Sequence, residues 1–281
     1  MEIILCILIA IVILAVGVII VDSNRFVVRE YTVESNKLKR DHDFLFISDL
    51  HCKSYGKGNS KLLKAIDSLP AEAALLAGDM ITGRVGKETD TAASFVAELC
   101  KRMPVFYSEG NHELRTRINT EYYGTLYEDY VKKLDRIPLK ILNNEKVILE
   151  DLDIYALSIE HKYYERRLKL RYKDDYTEKM VGPNDESRFS ILMAHDPEYF
   201  ENYAKWKPDI VLSGHNHGGI ARVPFLGGVI SPRLRLFPHY DGGLFESESS
   251  KMILSRGIGS HTIPLRFLNP GELIVIHLKK R

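Results

Sequence analysis

The chain has 281 residues, 45% of them apolar and 27% charged, which excludes a disordered or fibrous protein and leaves room for one or two domains with a sizeable core. Its 39 basic and 38 acidic residues give a formal charge of +1, without the basic excess of an electrostatic nucleic-acid binder, so no nucleic-acid partner is expected. Cys6, Cys52 and Cys100 form no CxxC pair, which argues against a disulfide framework or a cysteine-held zinc and for free thiols.

The first element is Ile3 to Val21, 19 residues of Ile, Leu, Val and Ala with only Gly17 and Cys6 between them. As a helix it spans roughly 28 Å, close to the hydrocarbon thickness of a bilayer. A core helix rarely lacks a polar face over five turns, and no basic residue precedes the run as in a secretory signal. Residues 1–22 therefore read as a single-pass membrane anchor. Arg25, Arg29, Lys37, Lys39 and Arg40 follow the span, so the positive-inside rule puts the body on the cytoplasmic side of the cell membrane. Residues 23–42 read as a polar connector and 43–281 as one α/β domain.

Within that domain Phe44–Ile47, Ala73–Ala77 and Val105–Tyr107 read as buried strands, with helical patterns at Lys61–Leu69 and Thr91–Arg102 between them. Ile191–Ala194 and Ile210–Leu212 read as strands too, as do stretches near Val147–Leu149, Asp153–Ser158, Lys251–Ser255 and Leu273–His277.

Polar groups follow five of these runs: Asp49-Leu50-His51, Gly78-Asp79, Gly110-Asn111-His112-Glu113, His195-Asp196 and Gly214-His215-Asn216-His217. The carboxyl ends of parallel strands meet along one sheet edge, where ligands bind. In an extended segment positions i and i+2 project to one side, which makes Asp49 with His51, and His215 with His217, pincers. Gly78, Gly110 and Gly214 permit sharp turns beside them. Asp49, His51, Asp79, Asn111, His195, His215 and His217 are too many ligands for one ion and suit two sharing a carboxylate. Imidazole and oxygen donors without thiolate favour Mn, Fe, Zn or Co. Two such ions hold a hydroxide between them and clamp the attacking and leaving oxygens of a phosphoryl displacement.

The ordered set DxH, GD, GNHE, an isolated His and GHxH resembles the calcineurin-like metallophosphoesterase superfamily from about Asp43 onward. The extension Gly218-Gly219-Ile220-Ala221-Arg222-Val223-Pro224 is similar to a narrower group of bacterial membrane-anchored phosphoesterases, including UDP-2,3-diacylglucosamine hydrolases. The resemblance implies a four-layer αββα sandwich behind the transmembrane helix, two divalent metal ions, and hydrolysis of a phosphomonoester, phosphodiester or pyrophosphate bond. It implies one metal held by Asp49, His51, Asp79 and His217, and a second held by Asp79, Asn111, His195 and His215. His112 matches the family histidine that stabilises phosphate oxygens or protonates the leaving group. Protein Ser/Thr phosphatases of the superfamily carry GDYVDRG; here Thr82 stands where an aspartate would orient that histidine. The anchor adds a lipid-linked or membrane-proximal phosphate compound as substrate. A catalytically silent scaffold and a nuclease or nucleotide phosphodiesterase are the alternatives.

Taken singly, each of these residues has a duller reading as a packed histidine, turn former or helix cap. Their arrival together at five strand ends carries the functional one. Glu113 reads as holding a loop or histidine in place, and His42, His161, His239, His261 and His277 as ordinary, with His239 in a loop near enough to line the site. The basic run Lys162–Lys173, interleaved with tyrosines, reads as a solvated helix face rather than an anion-binding cap. The apolar stretch Ile220–Leu236 reads as packing for a second sheet, or as a guide for an acyl chain or a rest on the bilayer. Arg222 is the side chain expected to bind phosphate, since guanidinium matches phosphate geometry.

Overall fold

A computed structural model describes residues 1–135, 137–165, 170, 172–231, 235–260 and 264–281. Helix α1 (Glu2–Ser23) is, among the described residues, the one helix long and apolar enough to cross a membrane, and none of its apolar stretch is buried against the protein. It is apolar all round, and its 22 residues are enough by length and composition to span a bilayer.

Two six-stranded sheets follow. The first contains β1 (Phe26–Ser35), β2 (His42–Ile47), β3 (Ala73–Ala77), β4 (Val105–Ser108) and β5 (Lys140–Leu142). The second contains β6 (Glu145–Ile148), β7 (Leu152–Leu157), β8 (Phe189–Ala194) and β9 (Ile210–Ser213). A two-stranded hairpin, β10 (Arg222–Val223) and β11 (Gly227–Gly228), stands apart from both. Then β12 (Gly243–Ser247) and β13 (Ser250–Leu254) complete the second sheet, and β14 (Gly271–Lys280) returns to the first. Strand order is β1-β14-β2-β3-β4-β5 in one sheet and β12-β13-β9-β8-β7-β6 in the other. β2 to β5 run parallel, as do β7, β8, β9 and β13, so each sheet gathers several carboxyl ends on one edge.

Strand alternation divides the apolar side chains among three cores. On β2 and β3, Leu45, Ile47, Ala74 and Leu76 pack outward against α2 (Ser60–Ile66), α3 (Asp90–Cys100) and, past α4 (Asn111–Ile118) and α5 (Thr120–Tyr123), α6 (Leu126–Leu134). Phe44, Phe46, Ala73 and Leu75 point the other way and meet Ile154, Phe189, Ile191 and Ile210 of the second sheet. Tyr155, Leu192 and Val211 then face Phe200 and Tyr203 of α8 (Phe200–Lys205), which lies with α7 (Tyr176–Val181) over the outer face. Three cores separate four layers, helices–sheet–sheet–helices, the αββα sandwich expected above. Both sheets are covered on both faces, which is why their central strands read as unbroken apolar runs.

Residues 23–42 are not a free connector. β1 pairs in parallel with β14 along ten residues, from Phe26 opposite Gly271 to Ser35 opposite Lys280. The segment is polar because β1 is an edge strand with one side in solvent. Most of the cations that follow α1 have partners: Arg25 with Asp22, Arg29 with Glu272, Lys37 with Asp209 and Arg40 with Glu72. Four basic residues of the run Lys162–Lys173, Arg166, Arg167, Lys169 and Arg171, lie outside the described residues, as does His261. Tyr163 and Tyr172 of that run are buried among Tyr176, Tyr199 and Tyr203, packed inward rather than solvated.

Candidate metal centre

The ends of β2, β3, β4, β8 and β9 deliver the seven side chains to one place. Asp49, His51 and His217 form one group whose ligand atoms lie within 4.8 Å of one another, and Asp79, His195 and His215 form another. A third, His51, Asp79 and His112, joins them. His217 Nε2 lies 3.1 Å from Asp49 Oδ1 and 3.0 Å from His51 Nε2. His195 Nε2 lies 3.1 Å from Asp79 Oδ2, and His215 Nδ1 2.8 Å from Asn111 Oδ1. The GHxH pair is thus split between the two groups, and His51 and Asp79 of the third link them. All seven are buried except half-buried Asn111.

The route to convergence differs from the extended pincer that spacing suggests. Asp49, His51, Asp79, His215 and His217 all have φ between 48° and 69°, in the left-handed region. Such a backbone costs about 1–2 kcal/mol per residue and persists where the surroundings over-determine it. Here the loops are laced together: Asp49 N donates to Gly78 O and His51 N to Asp79 O, each at 3.0 Å. A Cβ on Gly78 would sit 2.5 Å from the Gly110 backbone, and one on Gly214 1.9 Å from Ser48 Oγ, so no larger residue lets these turns approach.

The carboxylates are held by donors. His215 N reaches both Asp49 oxygens at 3.1 Å, Ser48 Oγ donates to Oδ2, and His112 N donates to Asp79 Oδ1 at 2.8 Å. Burial works to raise the Asp49 carboxyl, but His217 and His195 outweigh it and hold it well below the usual carboxylate range; Asp79 is lowered in the same way, against burial, by His195 and His112. Burial pushes His51 down to about 4, against the pull of Asp79. His195 goes the other way, to about 10, because Asp79 and Asp49 overcome burial. Its Nδ1 faces Ala77 O at 2.7 Å and must donate to it, which leaves a lone pair on Nε2 aimed at Asp79. Two acceptors meeting in a buried place require a proton or a cation between them, and the imidazole, carboxylate and carboxamide donors around them suit a divalent ion.

Glu113 is fully buried and accepts from Asp79 N (2.8 Å), Gly110 N (3.0 Å), Ile81 N (3.1 Å) and Tyr107 Oη (2.8 Å). It caps the first turn of α4 while clamping the loop that carries Asp79, the loop-holding role its position suggested. Burial and the Asp79 charge push its carboxyl up to about 7.

His112 is oriented without the missing aspartate. Gly83 N donates to its Nδ1 at 2.8 Å and Arg115 Nη2 lies 2.9 Å from the same atom. Both are donors, so Nδ1 accepts and the ring proton sits on Nε2, 3.8 Å from Asp79 Oδ2. Thr82 instead donates to His51 O. Arg115 was readable as a helical i+3 neighbour of His112; the Gly83 amide left no sequence signal. Tyr164, whose ring centroid lies 5.6 Å from that of His215, is a further neighbour of the cluster.

Arg222 does not join the seven. Its guanidinium is engaged by Asp241 Oδ2 at 3.0 Å and by the carbonyls of Gly218 and Asp241, tying the β10–β11 hairpin to the 241 loop. His239 packs on Tyr240 and Phe245. The cations beside the cluster are others: Lys53, Arg84, Lys87 and Arg115 line a cavity of about 790 Å³ together with His51 and His112.

Residues 42–219 match the calcineurin-like phosphoesterase family. An uncharacterised metallophosphoesterase of Helicobacter pylori is 27% identical over 258 residues, covering 89% of this chain and 63% of its own length. One from Aquifex aeolicus is 28% identical over 257 residues, covering 90% of this chain and 91% of its own length. The chain therefore spans just under two thirds of the first relative and nearly all of the second. Among solved structures, Haemophilus influenzae NAD nucleotidase is 15% identical with a TM-score of 0.49, covering 78% of this chain and 46% of that one. The chain belongs to the calcineurin-like phosphoesterase family, whose members use two divalent metal ions.

Proposed function

We propose, with that family membership as premise, that this protein is a membrane-anchored phosphoesterase that hydrolyses a phosphate ester or pyrophosphate bond of a lipid-linked or membrane-proximal compound. UDP-2,3-diacylglucosamine is one substrate of that description. The observation that carries the reading is the pair of buried groups, Asp49–His51–His217 and Asp79–His195–His215, linked by a third, His51–Asp79–His112.

In this reading Asp49, His51, Asp79 and His217 hold one divalent ion, and Asp79, Asn111, His195 and His215 the other. Two such ions supply Lewis acidity, acidifying a water at neutral pH and neutralising charge on the phosphoryl oxygens. Everything else falls to the protein. Lys53, Arg84, Lys87 and Arg115 give the cavity beside the cluster a positive rim that draws in a phosphate, although the whole chain is near neutral. His112, with Nδ1 taken by Gly83 N–H, keeps its proton on Nε2 and gives it to the leaving oxygen, which would otherwise depart as an alkoxide. Arg115 holds that ring in place, its Nη2 2.9 Å from Nδ1.

The anchor is residues 1–22, and the body that carries the chemistry takes in β1 as well as residues 43–281. The cations after the span favour the cytoplasmic face, since the positive-inside rule acts on the inserting chain before its ion pairs form.

The test is hydrolysis of bis(p-nitrophenyl) phosphate by the full chain in detergent. Turnover should require added Mn²⁺, Zn²⁺ or Co²⁺, and Asp79→Ala should abolish it while losing bound metal by elemental analysis. Turnover that survives chelation, or that Asp79→Ala retains, overturns the reading.

A further inference from the structure

The end of α1 is built into the domain beside an apolar surface that is exposed among the described residues. Asp22, only 2% exposed, accepts from Asn269 N at 3.1 Å, and Ser23 Oγ accepts from Arg266 N at 3.1 Å. These bonds fix the 265–269 loop at the level where the apolar helix stops. The same loop is joined to the β10–β11 hairpin: Arg222 N donates to Phe267 O at 3.0 Å, Phe267 N to Ile220 O at 3.3 Å, and Ala221 bridges to Phe267. Phe237 N donates to Val229 O at 2.9 Å, and Ile230 bridges to Leu236, bringing a third segment alongside.

These three segments carry much of the apolar surface of the body. Of thirteen large apolar side chains exposed after α1 among the described residues, seven lie at 223–226, 236–237 and 265–268. Phe225 is fully exposed at the hairpin tip with φ 69°, a left-handed conformation that is unfavourable for a bulky residue. Leu226 and Leu236 are each 67% exposed and Phe237 58%. A contiguous exposed apolar patch marks a contact surface.

We propose that this surface is a second membrane contact, in which Phe225 and Leu226 enter the leaflet where α1 ends and Leu236, Phe237, Leu265 and Leu268 lie along its boundary. The patch is continuous, through Asp22–Asn269 and Ser23–Arg266, with a helix whose apolar flank already requires lipid. A tethered domain has already lost most of its translational freedom, so partial burial of a few such side chains suffices to hold one orientation. That orientation has a functional sense. Lys53 lines the cavity beside His51 and His112 and donates through Nζ to Ser23 O at 2.8 Å, so one rim of that cavity sits at the height of the helix end, among phosphate headgroups. The inference does not rest on the phosphoesterase reading; it rests on α1 being in a bilayer.

The test uses the full chain reconstituted in phosphatidylcholine–phosphatidylglycerol vesicles, with and without lipid brominated high on its acyl chains. Trp206 is the single natural tryptophan; it packs on Tyr155, donates to Gly182 O and provides a constant background. Phe225→Trp should add emission that the brominated lipid quenches by about half or more, as for a side chain at the acyl boundary. Ile148→Trp, on β6 at the opposite edge of the second sheet, should add emission insensitive to bromine. Leu226→Trp repeats the measurement should Phe225→Trp fold poorly. Equal emission from both hairpin variants in the two lipids overturns the proposal, as does equal quenching of Ile148→Trp. Blue-shifted, bromine-insensitive emission with cross-linking between copies would assign the patch to a protein interface and overturn it as well.

Discussion

The cluster at the strand ends and the hairpin beside α1 break one rule of folded proteins in opposite directions. Charged and polar groups belong outside and large apolar groups inside, and either exception is more informative than conformity. At the cluster, Asp49, Asp79, Glu113 and five histidines are buried. At the hairpin, Phe225, Leu226 and Phe237 stand in the open. The difference lies in what supports them. The cluster sits in a dense web in which Ser48, Tyr107, Gly110 N, His112 N and His215 N all donate to its carboxylates, and left-handed turns bring the loops within van der Waals reach. The hairpin has two strands of two residues and a bridge to the 267 loop. Buried charge is an internal arrangement that the fold must complete by itself; exposed apolar surface is completed by something else.

The contrast can be broken first where the cluster's burial is meant to serve chemistry. His112→Gln should lower turnover by about 10²–10⁴-fold with both ions retained. Unchanged turnover with full metal content would leave His112 a packing residue and the web around it merely structural. Glu113→Ala strands three backbone amides and the Tyr107 hydroxyl, and should cost about 3–5 kcal/mol in urea unfolding. A loss below about 1 kcal/mol would show that the cluster does not depend on its donors.

Chelator-stripped protein offers a subtler test. Glu113 is raised to about 7 from an ordinary 4.5, so its contribution to stability is full below pH 4.5 and fades as pH climbs through 7. His195, raised to about 10 from 6.5, fades over the window above that. His51, lowered to about 4 from 6.5, opposes them only below pH 6.5, so the stripped protein should lose stability from about pH 7 to 10, and added divalent metal should flatten the loss, because ions bind the deprotonated donors. A stripped protein that gains stability over that range would contradict the charge pattern described for the cluster. The smallest effect belongs to the hairpin. Phe225→Ser should shift unfolding in detergent by no more than about 0.5 kcal/mol, and a larger loss would mean that the tip is packed after all.

Most of the sandwich is visible in the sequence for a simple reason. Strands covered on both faces must be apolar throughout, so Phe44–Ile47, Ala73–Ala77 and Ile191–Ala194 announce themselves, and the polar residue that ends each run marks the sheet edge. The seven side chains were legible on those grounds. β1 was not, because Arg29, Glu30 and Glu34 make it resemble a linker and its partner β14 lies far along the chain. Asp49, His51, His215 and His217 reach the cluster through left-handed turns rather than an extended pincer, and spacing carries no mark of such a turn beyond the tolerance of Asp and Asn for that region. Arg222 shows a different limit. Guanidinium chemistry is the same whether it meets a phosphate or Asp241, and only the fold decides which is near.

The pairing of β1 with β14 sets an order of events during synthesis. Register partners such as Phe26 and Gly271 stand 245 positions apart, so while the ribosome is still at work the slot between β1 and β2 has no occupant. The half-built sheet must therefore wait with two unsatisfied strand edges, a state prone to mispairing with a neighbouring copy. Arrival of the final strand closes the slot.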